Sequence, residues 1–192
     1  MCGIVGLFLK DKALEPELGS MLTDMLITMT DRGPDSAGIA IYGKDDASKT
    51  KLTVQSDNPA EDFDGLDTVL SKATGNRITM SVKDTHAVLE IEAESSDSVR
   101  AALSEHTPNV RVMSAGDIIE IYKEVGLPKD VAARFEIAKM SGSHGIGHTR
   151  MATESAITTM GAHPFSTGTD QCLVHNGSLS NHNSLRRKMK RD

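Results

Sequence analysis

Tryptophan is absent from this 192-residue sequence, and with 2 Tyr and 4 Phe the aromatics reach only 3%. Platforms that stack unpaired bases need several aromatic rings, and this composition does not supply them. A cationic surplus is missing too: 21 Lys and Arg face 27 Asp and Glu, a formal net charge of −6. Phosphate backbones are held by clustered cations, so a general nucleic-acid binder is excluded. No apolar run approaches the roughly 20 residues needed to span a bilayer, so no membrane partner is expected. The opening MCGIVGLFLK is too short for a signal peptide and lacks its basic leader. Two cysteines, Cys2 and Cys172, make no disulfide framework. The expected compartment is the reducing cytoplasm.

What is present suits a soluble globular chain, with 38% apolar residues and a mean hydropathy of −0.28. The length allows one sizeable domain with a small insertion. CGIVGLFL reads as a buried strand. Leu18, Met21, Leu22, Met25, Leu26 and Met29 repeat at helical spacing, and a methionine-rich stripe of this kind is core. That helix should stop near DRGPDS, before a second strand in AGIAIYG. From Lys44 to about Met140 the character changes to a small α/β pattern of its own. KDDASKTK and VQSDNPAEDFDG read as acidic, loop-like surface. ITMSVKDTHAVLEIEAE reads as one long strand or a hairpin, and SSDSVRAALSEH as a short helix with an N-cap serine run. NVRVMSAGDIIEIYKEVG is expected to form a strand and then a helix, followed by a helix in LPKDVAARFEIAKM. CLVH reads as a buried strand ending in the Asn176-Gly177 turn. SLRRKMKRD reads as an exposed basic helical turn.

Three groups of residues could carry chemistry. Removal of Met1 would give Cys2 an α-amine, a base with a pKa of about 7.7–8.0 beside its own thiol nucleophile. In HTRMAT, Arg150 offers a planar fork for a carboxylate and Thr153 a hydroxyl. In HNG, the Asn176 amide and the Gly177 N–H could stabilise an oxyanion. Cys172, inside an apolar strand, reads as packing. Five histidines (His144, His148, His163, His175 and His182) fall in one stretch, and HGIGH has the spacing of a helical zinc pair. Gly145 and Gly147 disfavour a helix there, however, and no glutamate follows His144, so no metal is expected.

Taken together, CGIVG at the start, RGPDSAG at residues 32–38, GHTRMAT at 147–153, AHPF at 162–165 and HNG at 175–177 resemble the class-II, N-terminal nucleophile, glutamine amidotransferases. The order and spacing of the motifs are the family's; the middle of the chain does not match. The resemblance implies a four-layer αββα sandwich in an α+β chain, with a small α/β subdomain inserted at about residues 44–140. It implies L-glutamine as substrate, Cys2 as nucleophile and its amine as base. Arg150, with Thr153 and His163, would clamp the glutamine α-carboxylate. Asn176 and Gly177 would form the oxyanion hole, and Arg32 would support the nucleophile. No cofactor is implied.

Three departures bear on these expectations. Met151 stands where most relatives have tryptophan, so that wall of the pocket should be more pliable. The inserted stretch is long. The acidic residue that the family places some two dozen positions after HNG, to hold the glutamine amino group, is not reached before Asp192. The domain is therefore expected to be incomplete at its C-terminus, with Asp192, Glu154 or an insertion residue as the remaining candidates for that contact. No acceptor domain is seen on the chain, so an ammonia-accepting synthase subunit is expected as partner, as in split glutamate synthases or N-methylglutamate synthase-type complexes. Two other readings are a non-catalytic binding or regulatory module of the same fold and a metal-dependent hydrolase built on the histidines.

Overall fold

The computed structural model describes residues 1–43, 48–153, 156–177 and 181–191. Among them are three antiparallel sheets with helices packed on two of them, a mixed α+β architecture. The first sheet is built from β1 (Gly3–Phe8), β2 (Ser36–Tyr42), β7 (Ile119–Val125) and β8 (His144–Arg150), in the order β1-β8-β2-β7. One face is covered by α1 (Leu18–Thr28) and α5 (Pro128–Arg134). Leu18, Leu22 and Leu26 of α1 are buried against Val5, Ile39 and Ile41 of the strands, while Met25 and Met29 pack at the rim. The helical stripe is therefore core, as its spacing requires. The helix gives way to a short 3-10 turn at Thr30–Arg32, before Gly33 and Pro34.

Gly33 and Gly38 have steric reasons to be glycine. A Cβ on Gly33 would lie 2.6 Å from the Arg150 backbone nitrogen, and one on Gly38 would lie 2.2 Å from the His163 carbonyl oxygen. Both contacts bring a segment of the candidate site directly onto the sheet.

The second sheet comprises β3 (Lys49–Gln55), β4 (Thr79–Lys83), β5 (His86–Glu92) and β6 (Arg111–Gly116), in the order β4-β5-β3-β6. With α2 (Pro59–Asp62), α3 (Leu66–Thr74) and α4 (Ser96–His106) between them, the strands trace the βαββαβ path of a ferredoxin-like sheet. Its helix-facing side is apolar: Leu52, Val54, Leu89 and Ile91 pack against Leu66, Leu70, Val99 and Leu103. Its other side meets the first sheet near β7 and α5, where Val88 joins the core of Tyr122 and Phe135. The third sheet is the hairpin of β9 (Phe165–Gly168) and β10 (Gln171–Leu173). The Asp170 carboxylate ties this hairpin to the β6–β7 turn, accepting from the backbone N–H groups of Asp117, Ile118 and Ile119.

Several local expectations are corrected. The helix expected in DIIEIYKEVG is strand β7, whose alternating Ile119, Ile121 and Tyr122, Glu124 serve two faces of a sheet. Because β7 pairs with β2, residues 119–140 belong with the first sheet, and the separate sheet ends at Gly116. Part of the stretch read as loop is β3, paired on both sides by β5 and β6. CLVH is not a buried strand: β10 stops at Leu173, which is exposed. The serine run precedes α4, but Ser95 makes no side-chain cap bond. The basic C-terminal segment forms α6 (His182–Met189), with no buried residue. Among the described residues no helix is long and apolar enough to cross a membrane.

Candidate active site

Strand alternation decides what β8 presents. Gly145 and Gly147 face α1, where added Cβ atoms would meet Leu22 and Leu26. His144, Ile146, His148 and Arg150 therefore face the opposite side, toward the β9–β10 hairpin. β1 is an edge strand whose Gly3 is in register with Thr149, which places Cys2 beside the end of β8. The Thr149 hydroxyl fixes this start: it accepts from the Gly3 N–H at 3.1 Å and donates to the Met29 carbonyl at 3.2 Å.

Two side chains converge on the half-buried Cys2. Arg32 Nε donates to the Cys2 carbonyl at 3.3 Å, and Asn176 Nδ2 donates to the same oxygen at 3.0 Å. The Cys2 thiol lies 3.9 Å from the Met151 carbonyl. The Met1 ammonium sits 3.2 Å from Met151 Sδ, so the residue that replaces the expected tryptophan borders the N-terminus. Gly177 follows Asn176 and is exposed; its position is crowded by the His175 ring, 3.0 Å from where a Cβ would stand.

A second group lies at the end of β8. Arg150 is buried and its Nη1 donates to the Ala156 carbonyl at 3.2 Å. The His163 ring is 4.3 Å from the His148 ring and 4.4 Å from Phe165. His148 Nε2 bonds the His175 carbonyl at 3.0 Å, which joins β8 to the HNG segment; that nitrogen is therefore the protonated one. Burial first, then electrostatic repulsion from His148, Lys123 and Arg150 against a protonated ring, pushes the His163 pKa down to about 4. Burial also lowers the His148 pKa, against the opposing bond to His175. Both rings are thus neutral at physiological pH, and Arg150 is the cation of this group.

The sequence-expected residues fall into these two groups with one exception. Cys2, Arg32 and Asn176 are brought together, with Gly177 adjoining, and Arg150 and His163 share the second group. Thr153 lies beyond the end of β8, is exposed and makes no side-chain hydrogen bond among the described residues. Glu154 and Asp192 lie outside the described residues. Among the described residues no three His, Cys, Asp or Glu side chains are placed together to hold an ion.

Two contributors escaped the sequence reading. Lys123, only 3% exposed, donates to the Ala162 and Pro164 carbonyls at 2.9 and 3.1 Å and so holds the backbone on both sides of His163. Burial lowers its pKa to about 8. Asp35, within the RGPDSAG motif, accepts from the Ala152 N–H at 2.7 Å and fixes the turn after Arg150. The strand alternation of IEIYKEV was the signal for Lys123, and its reading as a helix concealed it.

No protein-family model matches the chain. The whole chain is 66% identical to the glutamine amidotransferase-like protein GlxB of Rhizobium meliloti (strain 1021), covering 64% of that protein. It is 32% identical, again over its full length, to a protein of Methanothermobacter thermautotrophicus (strain Delta H) whose name provisionally makes it a glutamine amidotransferase, covering 66% of it. A stretch of 84 residues is 42% identical to the glutamine–fructose-6-phosphate aminotransferase (isomerizing) of Methanosarcina acetivorans, or 42% of this chain and 13% of that one. The chain is thus similar, over its whole length, to proteins named as glutamine amidotransferases. It spans a little under two thirds of the length of the first two relatives.

Proposed function

We propose that the chain is a glutaminase domain that hydrolyses L-glutamine and delivers ammonia to a partner synthase. The observation that carries this reading is the convergence of Arg32 and Asn176 on Cys2, beside the first strand of the sheet. In this reading Met1 is removed, and the α-amine of Cys2 takes the proton of its own thiol. The Cys2 sulfur attacks the side-chain amide carbon of glutamine, and the carbonyl electron pair moves onto oxygen. Asn176 Nδ2 and the Gly177 N–H donate to that oxyanion. The α-ammonium then protonates the amide nitrogen, the C–N bond breaks and ammonia leaves a γ-glutamyl thioester. Water, deprotonated by the same amine, attacks the thioester; the thiol departs and glutamate is released. Arg150, Thr153 and His163 hold the substrate's α-carboxylate, the arginine by charge, the threonine by its hydroxyl and the histidine as a neutral ring, while Arg32 supports the nucleophile.

The surrounding architecture belongs to the same proposal. The sheet under α1 and the β9–β10 hairpin would be parts of a four-layer αββα N-terminal nucleophile sandwich, located in the cytoplasm. The ferredoxin-like unit would be an insertion in it. The partner is read as the acceptor subunit of a glutamate synthase-like complex. Steady-state glutamine hydrolysis by the protein, with and without lysate partners, tests the reading. Ammonia release that requires Cys2 is the expected result; a Cys2→Ala variant as active as the parent would overturn it.

A further inference from the structure

Glu124 is a carboxylate only 7% exposed, and its partners come from three separate parts of the chain. Its Oε2 accepts from the Thr85 hydroxyl at 3.0 Å, and Arg134 Nη1 approaches it at 3.9 Å. Its Oε1 accepts from the Thr159 hydroxyl and from the Val125 N–H, the latter at 2.8 Å. Thr85 stands at the tip of the β4–β5 hairpin, in the ferredoxin-like unit. Its single proton is committed to Glu124, so His86 Nδ1, 3.2 Å away, donates to the Thr85 oxygen. Asp84, at the same tip, pairs with Arg134 at 2.6 Å. The hairpin tip is thus fastened to Glu124 from two directions.

Thr159 lies in the segment 156–164, which has neither helix nor strand and bears on the glutamine pocket at both ends: Ala156 on Arg150, and His163 itself. Its internal backbone bonds are local, from the Gly161 and Ala162 N–H groups to the Thr158 and Thr159 carbonyls at 3.0–3.2 Å. Its position therefore depends on a few anchors to the body: Arg150, Lys123 and Glu124. Among the described residues Glu124 is the anchor that also grips the ferredoxin-like unit. A buried carboxylate is retained only when its lone pairs are satisfied, so losing a donor on one side disturbs its hold on the other.

We propose that Glu124 is a positioning residue through which the hairpin tip at Asp84–His86 sets the conformation of the pocket segment 156–164. Occupancy or movement of the ferredoxin-like unit is then transmitted to substrate affinity. The effect on affinity rests on the glutaminase reading; the mechanical link does not.

Hydrogen exchange at the Gly161 and Ala162 amides, measured on the 192-residue chain, reads the link without any substrate. Thr85→Val, remote from the pocket, should accelerate this exchange about fivefold to tenfold, the scale of one lost hydrogen bond. Thr85→Ser, which keeps the hydroxyl, should restore it. Glutamine KM should rise by a similar factor in Thr85→Val, with kcat within about twofold of the parent. Alkylation of Cys2 by iodoacetamide, which needs no pocket, should not change. If Thr85→Val fails to fold, Glu124→Gln is measured in its place. Unchanged exchange in Thr85→Val, or in Glu124→Gln where that is the variant measured, overturns the proposal. Faster exchange in a protein that hydrolyses no glutamine would leave the link standing and refute the glutaminase reading instead.

Discussion

The two four-stranded sheets solve different problems with the same kind of strand. On its helix-facing side the ferredoxin-like sheet buries Leu52, Val54, Ala87, Leu89 and Ile91 completely, and that layer holds no charged group. The first sheet buries Ser36, Lys123, Glu124, His148, Thr149 and Arg150 as well as its apolar residues. It also accepts glycines at 38, 145 and 147, where backbone or helix must come close. Burying such polar groups is costly unless each has a partner. Lys123 has two carbonyls, Glu124 three close donors and a distant guanidinium, and Thr149 a donor and an acceptor. Stability on the helix-facing side of the ferredoxin-like sheet therefore comes from packing, whereas in the first sheet part of it is given up to hold side chains in fixed positions.

Substitutions can separate the two. Leu89→Ala should cost about 2–5 kcal/mol of stability, the range for a buried leucine. It should leave Cys2 reactivity toward a glutamine-like electrophile intact wherever the protein is folded; denaturant melts and labelling rates check this. Asn176→Ala should do the reverse. Turnover should fall about 10²–10³-fold through loss of an oxyanion donor, with KM and the melting midpoint little changed. A raised KM with normal turnover would move Asn176 from the oxyanion site to the clamp.

The boundary between the sheets has its own pH signature. His86 is fully buried between Tyr122 and Phe135, and burial, reinforced by the charges of Lys123 and Arg134, drops its pKa from 6.5 to about 3. The unfolded chain binds this proton more readily, so stability is full above pH 6.5 and is lost as pH falls toward 3. At pH 4.5 the loss from this residue is about 3 kcal/mol. His86→Phe should remove that part of the acid sensitivity, as denaturant titrations at pH 7 and pH 4.5 would report. Lys123 has the same sign in an alkaline window: with a folded pKa of about 8, it adds stability as pH rises from 8 toward 10.5. The smallest expected effect is at the clamp. Arg150→Lys should raise glutamine KM about tenfold by replacing a planar fork with a point charge, with kcat nearly unchanged.

Strands β1 and β2 of the first sheet and helix α1 were legible because their signals are local. The alternation and β-branching of CGIVGLF and SAGIAIY, and the stripe from Leu18 to Met29, each decide an element without reference to anything distant. The site motifs were legible for a different reason, since their residue types and order resemble a family. What stayed hidden depends on pairing across the chain. β3 is polar in sequence and becomes a strand because β5 and β6 flank it. β7 carries Glu120, Lys123 and Glu124, which read as a helix surface until Glu120 is seen to pair with Lys51 and the other two to grip segment 156–164. Thr153 was singled out for its hydroxyl within the GHTRMAT motif; it follows the end of β8, and its side chain is exposed.

The central claim is that Cys2 is an N-terminal nucleophile, and mass spectrometry of the protein after reaction with 6-diazo-5-oxo-L-norleucine tests it directly. The account predicts an intact mass lacking Met1, a single adduct, and fragmentation that places the adduct on Cys2, with protection by excess glutamine. Labelling that ignores Cys2, or full glutamine hydrolysis by protein that retains Met1, would contradict it.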